Sequence, residues 1–524
     1  MLRGIGLKKK LISLIVISVM LCLVFTVVTS VSVAYSMKSS DKSCAEHGLY
    51  RGLLKGAYRV EKNGWIFVHL EGSPFQIGFQ HGYLLADNLN TSWSAAIHVY
   101  WSEEEFGDWW YVARDIARIY VWPKIPGEYR AEIEGIVAGL RAAGYYNWDK
   151  WDIVAFNAWA DIDAYWDAYF ERVRPHSGNI PLPRMFHREK GCSAFIATGS
   201  ATKNGEIVMA HNTWAGYAGD SYWNVIFHIK PKKGYEILYQ STGGCIWSGQ
   251  DWYINSAGLM VCETTLPGMH VYNIDGIPIF VRIRYAMQYT DNIDDFVEVM
   301  TYNGNGAYAN EWLIGDAKTG EICSLQLGCY HWDVYRTFDG FIGSCNYPKG
   351  EGVRQETVYD WTDPTTSGYC RYQRWLQLSE MYYGQIDVEL AKVMIADHYD
   401  VLTGEYKPSR RTICGHGEDS PPSYYPSGAY DGKVTSSSLV LENMGMWGRW
   451  GHPCGTPFYA DEFLEEHPEY SWQLPYLRDL PSYDWTFFNK EGPMDPEGHM
   501  NSMSSTAIIN AEIIAIDSTI GVKE

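Results

Sequence analysis

The strongest constraint in this sequence is a change of pattern across residues 172–191. Before it, apolar residues recur at helical spacing; after it, they alternate or run together as strands do. The stretch itself holds Pro175, Pro181 and Pro183, the pair Ser177-Gly178, and a basic cluster of Arg184, His187, Arg188 and Lys190. It reads as an exposed linker. The chain is therefore expected to join a helical N-terminal part, residues 35–191, to a strand-rich part, residues 192–524, that opens at Gly191-Cys192.

Upstream, residues 65–70 predict a strand, and Ser73-Pro74-Phe75-Gln76 a capped helix running to about Leu89. Tyr129, Ile133, Ile136, Val137 and Leu140 share one face of a second helix that Gly144 ends. Downstream, strands over residues 193–198 and 206–211 flank Lys203-Asn204-Gly205, and Asn-Gly is a strong hairpin signal. Further strands are predicted at 225–229, 252–255, 259–263 and 312–316, with helices at 280–289 and 293–302. Residues 409–455 predict a loop-rich region.

A cysteine directly after a glycine, where a linker meets a strand, suits self-processing. Glycine lets the backbone before the scissile bond strain, and the thiol attacks the preceding carbonyl. Cleavage between Gly191 and Cys192 frees an α-amine with a pKa of about 7.7–8.0 in peptides, which takes the thiol proton. Nucleophile and base then belong to one residue. On Gly-Cys alone, a small residue opening a buried strand is the better account.

The surroundings add to it. Cys192-Ser193-Ala194-Phe195-Ile196, the Asn-Gly turn and Ala210-His211-Asn212-Thr213-Trp214 resemble the phospholipase B-like family of Ntn-hydrolases. So do the segment Asp251 to Leu259 with Glu263-Thr264-Thr265 after it, Asn310-Glu311-Trp312, and the block Gly428 to Ser436. Gly72-Ser73-Pro74-Phe75-Gln76-Ile77-Gly78, His81-Gly82 and Glu132-Ile133-Glu134-Gly135 resemble the acyl-CoA:6-aminopenicillanic acid acyltransferase branch. The resemblance implies an α+β fold, a four-layer αββα sandwich with the mainly helical N-terminal part packed on it. It implies Cys192 as nucleophile and base, with His211, Asn212, Thr213 and Trp214 lining the site. Glu263, Thr264 and Asn310 become neighbours, Asn310 as the oxyanion donor because its amide offers N–H groups without charge. Thr264 stands where the acyltransferase branch carries Asn. Arg282 is a candidate for binding a carboxylate. The implied reaction is amide or ester hydrolysis through an acyl-thioester, on a small-molecule or lipid substrate.

Arg3 and Lys8 to Lys10 precede an apolar run to Ala34, so residues 1–34 read as a signal peptide or a membrane anchor, and the protein as secreted or extracytoplasmic. Membrane contact is expected only if that segment is retained. In such a compartment some of Cys44, Cys245, Cys262, Cys323, Cys329, Cys345, Cys370, Cys414 and Cys454 are expected to pair. No CxxC or HxxxH spacing points to a metal, and no cofactor is implied. A formal charge of -20 argues against nucleic acid. Oligomeric state stays open. The rival reading is a secreted glycoside hydrolase or carbohydrate-binding protein, prompted by 22 Trp, and it predicts paired carboxylates across an aromatic cleft.

Overall fold

The computed structural model describes residues 50–103, 107–173, 191–421 and 424–494. The N-terminal segment 1–34 and linker residues 174–190 lie outside that set. Residues 50–55 belong to a separate unit, and Gly56 onward forms one compact unit.

Two sheets face one another at its centre. The first contains β1 (Tyr58–Lys62), β2 (Trp65–Gly72), β5 (Val225–Pro231), β6 (Ile237–Ser241), β7 (Trp252–Asn255), β8 (Leu259–Thr265), β9 (Asn310–Asp316), β10 (Glu321–Leu327) and β11 (Trp332–Thr337), paired in that order. All pairs are antiparallel except β2 with β5, which is parallel. The second sheet runs β12 (Gly340–Ser344), β3 (Gly191–Gly199), β4 (Gly205–Gly216), β14 (Asp431–Ser436), β15 (Met446–Trp450), β16 (Thr486–Asn489) and β17 (Gly492–Met494), with β13 (Ser427–Ala429) also on β4. Strand β3 packs against β8, β9 and β10 across the interface. Helices α1 (Pro74–Leu84), α6 (Ile279–Tyr289) and α7 (Ile293–Thr301) cover the first sheet, whereas α8 (Ser367–Met381) and α9 (Val388–Met394) cover the second. This is the expected αββα sandwich. Strand β3 reads as a near-continuous apolar run because both of its faces are covered.

The N-terminal part is indeed mainly helical, adding α2 (Ala86–Ala96), α3 (Gly127–Ala142), α4 (Lys150–Asn157) and α5 (Asp163–Val173). Ser73 Oγ accepts from Gln76 N as an N-cap. The helix expected to reach Leu89 breaks earlier, at Leu85, where φ is -116°. The same part also supplies β1 and β2 to the first sheet, so the sandwich is built from both sides of the linker.

Helices α1 and α3 approach unusually closely. A Cβ added at Gly78 or Gly82 would run into the carbonyl oxygens of Glu132 or Ile136; one at Gly135 or Gly139 would meet those of Phe75 or Phe79. Small residues four apart on both helices let the backbones touch. Gly82→Leu is expected to destabilise by about 1–3 kcal/mol or more, read as a lowered denaturant midpoint at unchanged m-value.

Two expectations fail here. The region 409–455 contains the sheet strands β13, β14 and β15 as well as loops. Their glycines disguised them: Gly432 lies 2.8 Å from the Trp485 ring and Gly448 3.2 Å from that of Trp65, measured from an added Cβ. Among the described residues, all nine cysteines are free thiols; Cys44 lies outside the described residues. Cys245, Cys262, Cys323 and Cys345 are buried at separate places in the fold. Among the described residues, no helix is long and apolar enough to cross a membrane.

Candidate active site

Strands β3 and β4 alternate their side chains between two faces, and residues opposite one another share a face. The register sets Cys192 against Thr213 and Ala194 against His211. This set looks toward the first sheet, where Ala194, Ile196, Ile207 and Met209 join the central core. Ser193 and Asn212 look the other way, toward α8 and the end of α9 respectively. The amide of Asn212 is filled: Oδ1 accepts from Ser193 N at 3.1 Å and Trp214 Nε1 at 2.9 Å, while Nδ2 donates to the carbonyls of Ile395 at 3.0 Å and Ile413 at 3.1 Å. The expected substrate contact at Asn212 is thus corrected to a brace between strand and loops.

Cys192 is 3% exposed. Its N–H donates to Asn346 Oδ1 at 2.8 Å, and Sγ lies 3.6 Å from Asp251 Oδ2. Asn346 is itself fixed: Nδ2 donates to Thr265 O at 2.8 Å, its N–H to Thr264 Oγ1 at 3.2 Å, and Arg371 donates to Oδ1 at 2.9 Å. Arg371 also donates to the Cys192 carbonyl and stacks on Trp214, 4.3 Å from the ring centroid. Burial, then the nearby Asp251 and Glu263 carboxylates, push the Cys192 thiol well above its usual range. In the uncut chain it is a protonated, weak nucleophile.

His211, Cys192 and Asp251 each bring one ligating atom into a cluster within 4.8 Å. Burial, then Lys433, holds the His211 imidazole well below its usual pKa, so it is neutral and its Nε2–H donates to the Glu263 carbonyl at 2.9 Å. Thr213 N–H donates to Asp431 Oδ1 at 2.8 Å, and Lys433 Nζ reaches Thr213 Oγ1 at 2.7 Å and Asp431 Oδ2 at 3.0 Å. Thr264 positions Asn346 and shares a 2.6 Å contact with Ser344 Oγ. Asn310 is fully buried opposite Thr265, and among the described residues neither of its amide atoms has a hydrogen-bond partner. A buried amide left unpaired is costly, and Asn310 borders neither of the two cavities around Cys192. Arg282 is not brought here. It sits on α6, outside the first sheet, donates to the Met300 carbonyl, and borders neither cavity around Cys192.

Those cavities differ in kind. On the thiol side, Cys192, Thr213, Trp214, Asp251 and Tyr308 close on a crevice of ≈ 10 Å³, room for about one water. On the Gly191 side, Trp214, Asn346, Tyr359, Arg371 and Arg410 border a cavity of ≈ 250 Å³. Gly191 is small for a reason besides strain: an added Cβ would lie 2.8 Å from the Trp214 ring.

The loop that delivers Asp251 is pinned from the N-terminal part. Asn88 Oδ1 accepts from Gly243 N at 2.8 Å, His81 Nε2 from Gly244 N at 2.7 Å and Asn157 Oδ1 from Ile246 N at 2.8 Å. Burial, then Arg284, lowers the His81 pKa to about 3, so it acts as a neutral acceptor. Protons therefore bind the unfolded chain more readily than the folded one between pH 6.5 and about 3. His81 stabilisation is complete above that window and declines as pH falls through it. His81→Gln is expected to flatten the acid limb of a plot of denaturant midpoint against pH; an unchanged limb would refute this role.

Asp251, Asn346 and Arg371 were missed as site residues. Arg371 left a signal, since it falls on a buried helical stripe with Trp375 and Leu378. Asp251 left a weaker one, as an acid within a matching segment. Asn346 left none.

The family model for phospholipase B matches residues 71–324. An uncharacterized protein of Archaeoglobus fulgidus is 24% identical over 421 residues, 74% of this chain and 64% of its own length. Phospholipase B-like 1 of Bos taurus is 27% identical over 283 residues, 48% of this chain and 50% of its own. The chain thus spans half to about two thirds of the length of these two relatives. Among solved structures, a conjugated bile acid hydrolase from Clostridium perfringens is similar with a TM-score of 0.30 at 12% identity, over 49% of this chain and 88% of that one. Penicillin V acylase from Agrobacterium tumefaciens gives 0.30 at 13%, over 49% and 83%. The phospholipase B match and the phospholipase B-like relatives bear out the chain's resemblance to the phospholipase B-like family.

Proposed function

We propose that this protein is a self-processed N-terminal-cysteine hydrolase, cleaving an amide or ester bond outside the cytoplasm. The observation that carries the reading is the setting of Cys192: its nitrogen is held by Asn346, its sulfur faces Asp251, and a cavity opens at Gly191. In the uncut chain Asp251 is the nearby acceptor for the thiol proton. Sulfur then attacks the Gly191 carbonyl, the Cys192 nitrogen leaves as an amine after gaining a proton, and water hydrolyses the thioester. The freed amine keeps Asn346 as its hydrogen-bond acceptor and becomes the base for later turnovers. A substrate acyl carbon takes the place that the Gly191 carbonyl held, with its acyl group in the adjoining cavity. The thiolate attacks, the ammonium protonates the leaving amine or alcohol, and water releases the acid.

Lipid and N-acyl amide substrates both fit this chemistry. Turnover of a panel of phospholipids, N-acyl amino acids and oligosaccharides tests the reading, and cleavage confined to oligosaccharides would overturn it. The oxyanion role predicts that Asn310→Ala lowers kcat by about 10²–10³-fold with KM little changed. A loss confined to KM would remove Asn310 from that role.

A further inference from the structure

A second cluster of reactive side chains lies behind Trp214, outside the chemistry above. His398 follows α9, Cys414 and His416 occupy the loop before β13, and Cys454 follows β15. One ligating atom from each lies within 4.8 Å of all the others. His416 Nε2 is 3.5 Å from Cys414 Sγ and 3.6 Å from Cys454 Sγ. Tetrahedral zinc, with bonds of about 2.3 Å to sulfur and 2.0–2.1 Å to nitrogen, separates such a pair by roughly 3.6 Å. Among the described residues no donor or acceptor meets His398 Nε2 at hydrogen-bond geometry, and the His398 ring interacts with Cys454.

The outer groups are arranged as metal sites require. His416 Nδ1 donates to Glu418 Oε1 at 3.0 Å, which leaves Nε2 as a lone-pair donor aimed at the cluster. The same carboxylate lies 3.2 Å from His452 Nε2 and accepts from Tyr217 OH at 2.8 Å. A carboxylate behind a histidine orients the ring and raises its ligand strength. Thr456 N–H lies 3.4 Å from Cys454 Sγ.

We propose that His398, Cys414, His416 and Cys454 bind one structural divalent metal ion of the zinc class. Two thiolates, two neutral imidazoles and the dication sum to zero charge, and binding releases the thiol protons to solvent. Four protein ligands leave no open position, so the ion ties loops rather than performs chemistry. Those loops shape the candidate active site. Gly415, between two ligands, lies flush against the Trp214 ring, and Asn212 of β4 holds the carbonyls of Ile395 and Ile413 beside them. The ligands come from three separated segments, which is why no short spacing announced them.

The test is metal analysis of the purified full chain from zinc-supplemented medium, with cobalt exchange. The expected result is about one zinc per chain, and after exchange the visible bands of tetrahedral cobalt with sulfur-to-metal charge transfer. His398→Ala and Cys454→Ser are expected to lose the ion, whereas Cys370→Ser, a thiol outside the cluster, keeps it. If the two ligand variants fail to fold, the cobalt spectrum of the wild type decides. A metal-free folded wild type, or a Cys414–Cys454 disulfide in a non-reducing peptide map, overturns the proposal. None of these readouts depends on hydrolase activity.

Discussion

Cys192→Ala is expected to accumulate as one uncut chain with activity reduced by about 10⁴-fold or more. The wild type is expected to give two fragments, the second beginning at Cys192. The size of the effect follows from the removal of two functions at once. Without the sulfur nothing attacks the Gly191 carbonyl, so the α-amine is never released. Without the amine no base serves the hydrolytic cycle, and the neutral His211, engaged with the Glu263 carbonyl, is not a direct replacement. Intact mass and N-terminal sequencing read the first consequence, and turnover of an acyl substrate reads the second. A wild type that is fully active as a single chain would falsify the mechanism, while a cut Cys192→Ala would assign processing to another protease.

Glu132→Ala is expected to cost about 3–5 kcal/mol of stability. Glu132 on α3 and Arg284 on α6 are each 2% exposed and paired at 3.0 Å. Arg284 also donates to the Ile246 carbonyl at 2.7 Å and to Gln288 Oε1 at 3.2 Å. Deleting the carboxylate leaves a buried guanidinium without its counter-charge, which is worse than never having had the pair. Denaturant unfolding measures the loss. Because Ile246 lies in the loop leading to Asp251, processing is expected to slow in the same variant. A change below about 1 kcal/mol, the scale of exposed pairs, would mean that water reaches the site.

Much of the second half was legible because its signals are local. The Asn-Gly turn, the apolar run that opens β4 and the helical stripes of α6 and α7 each appear within a dozen residues. Alternation also held the answer to which of His211 to Trp214 face the nucleophile: the even spacing that puts His211 and Thr213 beside Cys192 turns Asn212 away. What stayed hidden was long-range. Asn346 and Arg371 reach Cys192 from distant segments, and β14 and β15 each carry one glycine that lies against a tryptophan ring. Arg282, offered as a carboxylate binder, lies instead on α6 against the Met300 carbonyl and Gly304.

The parallel pairing of β2 with β5 bears on what a cut at Gly191 would leave behind. Residues 56–173 contribute two strands at the edge of the first sheet, the buried Glu132 carboxylate that neutralises Arg284, and the three acceptors that hold the Asp251 loop. Severing one peptide bond removes none of these. The products would remain a non-covalent heterodimer, two bands under denaturing conditions and one particle in solution, in which neither piece has a complete interior alone. Maturation would then be a change of covalent connectivity inside a finished fold, and the N-terminal piece would be a permanent subunit rather than a discarded propeptide.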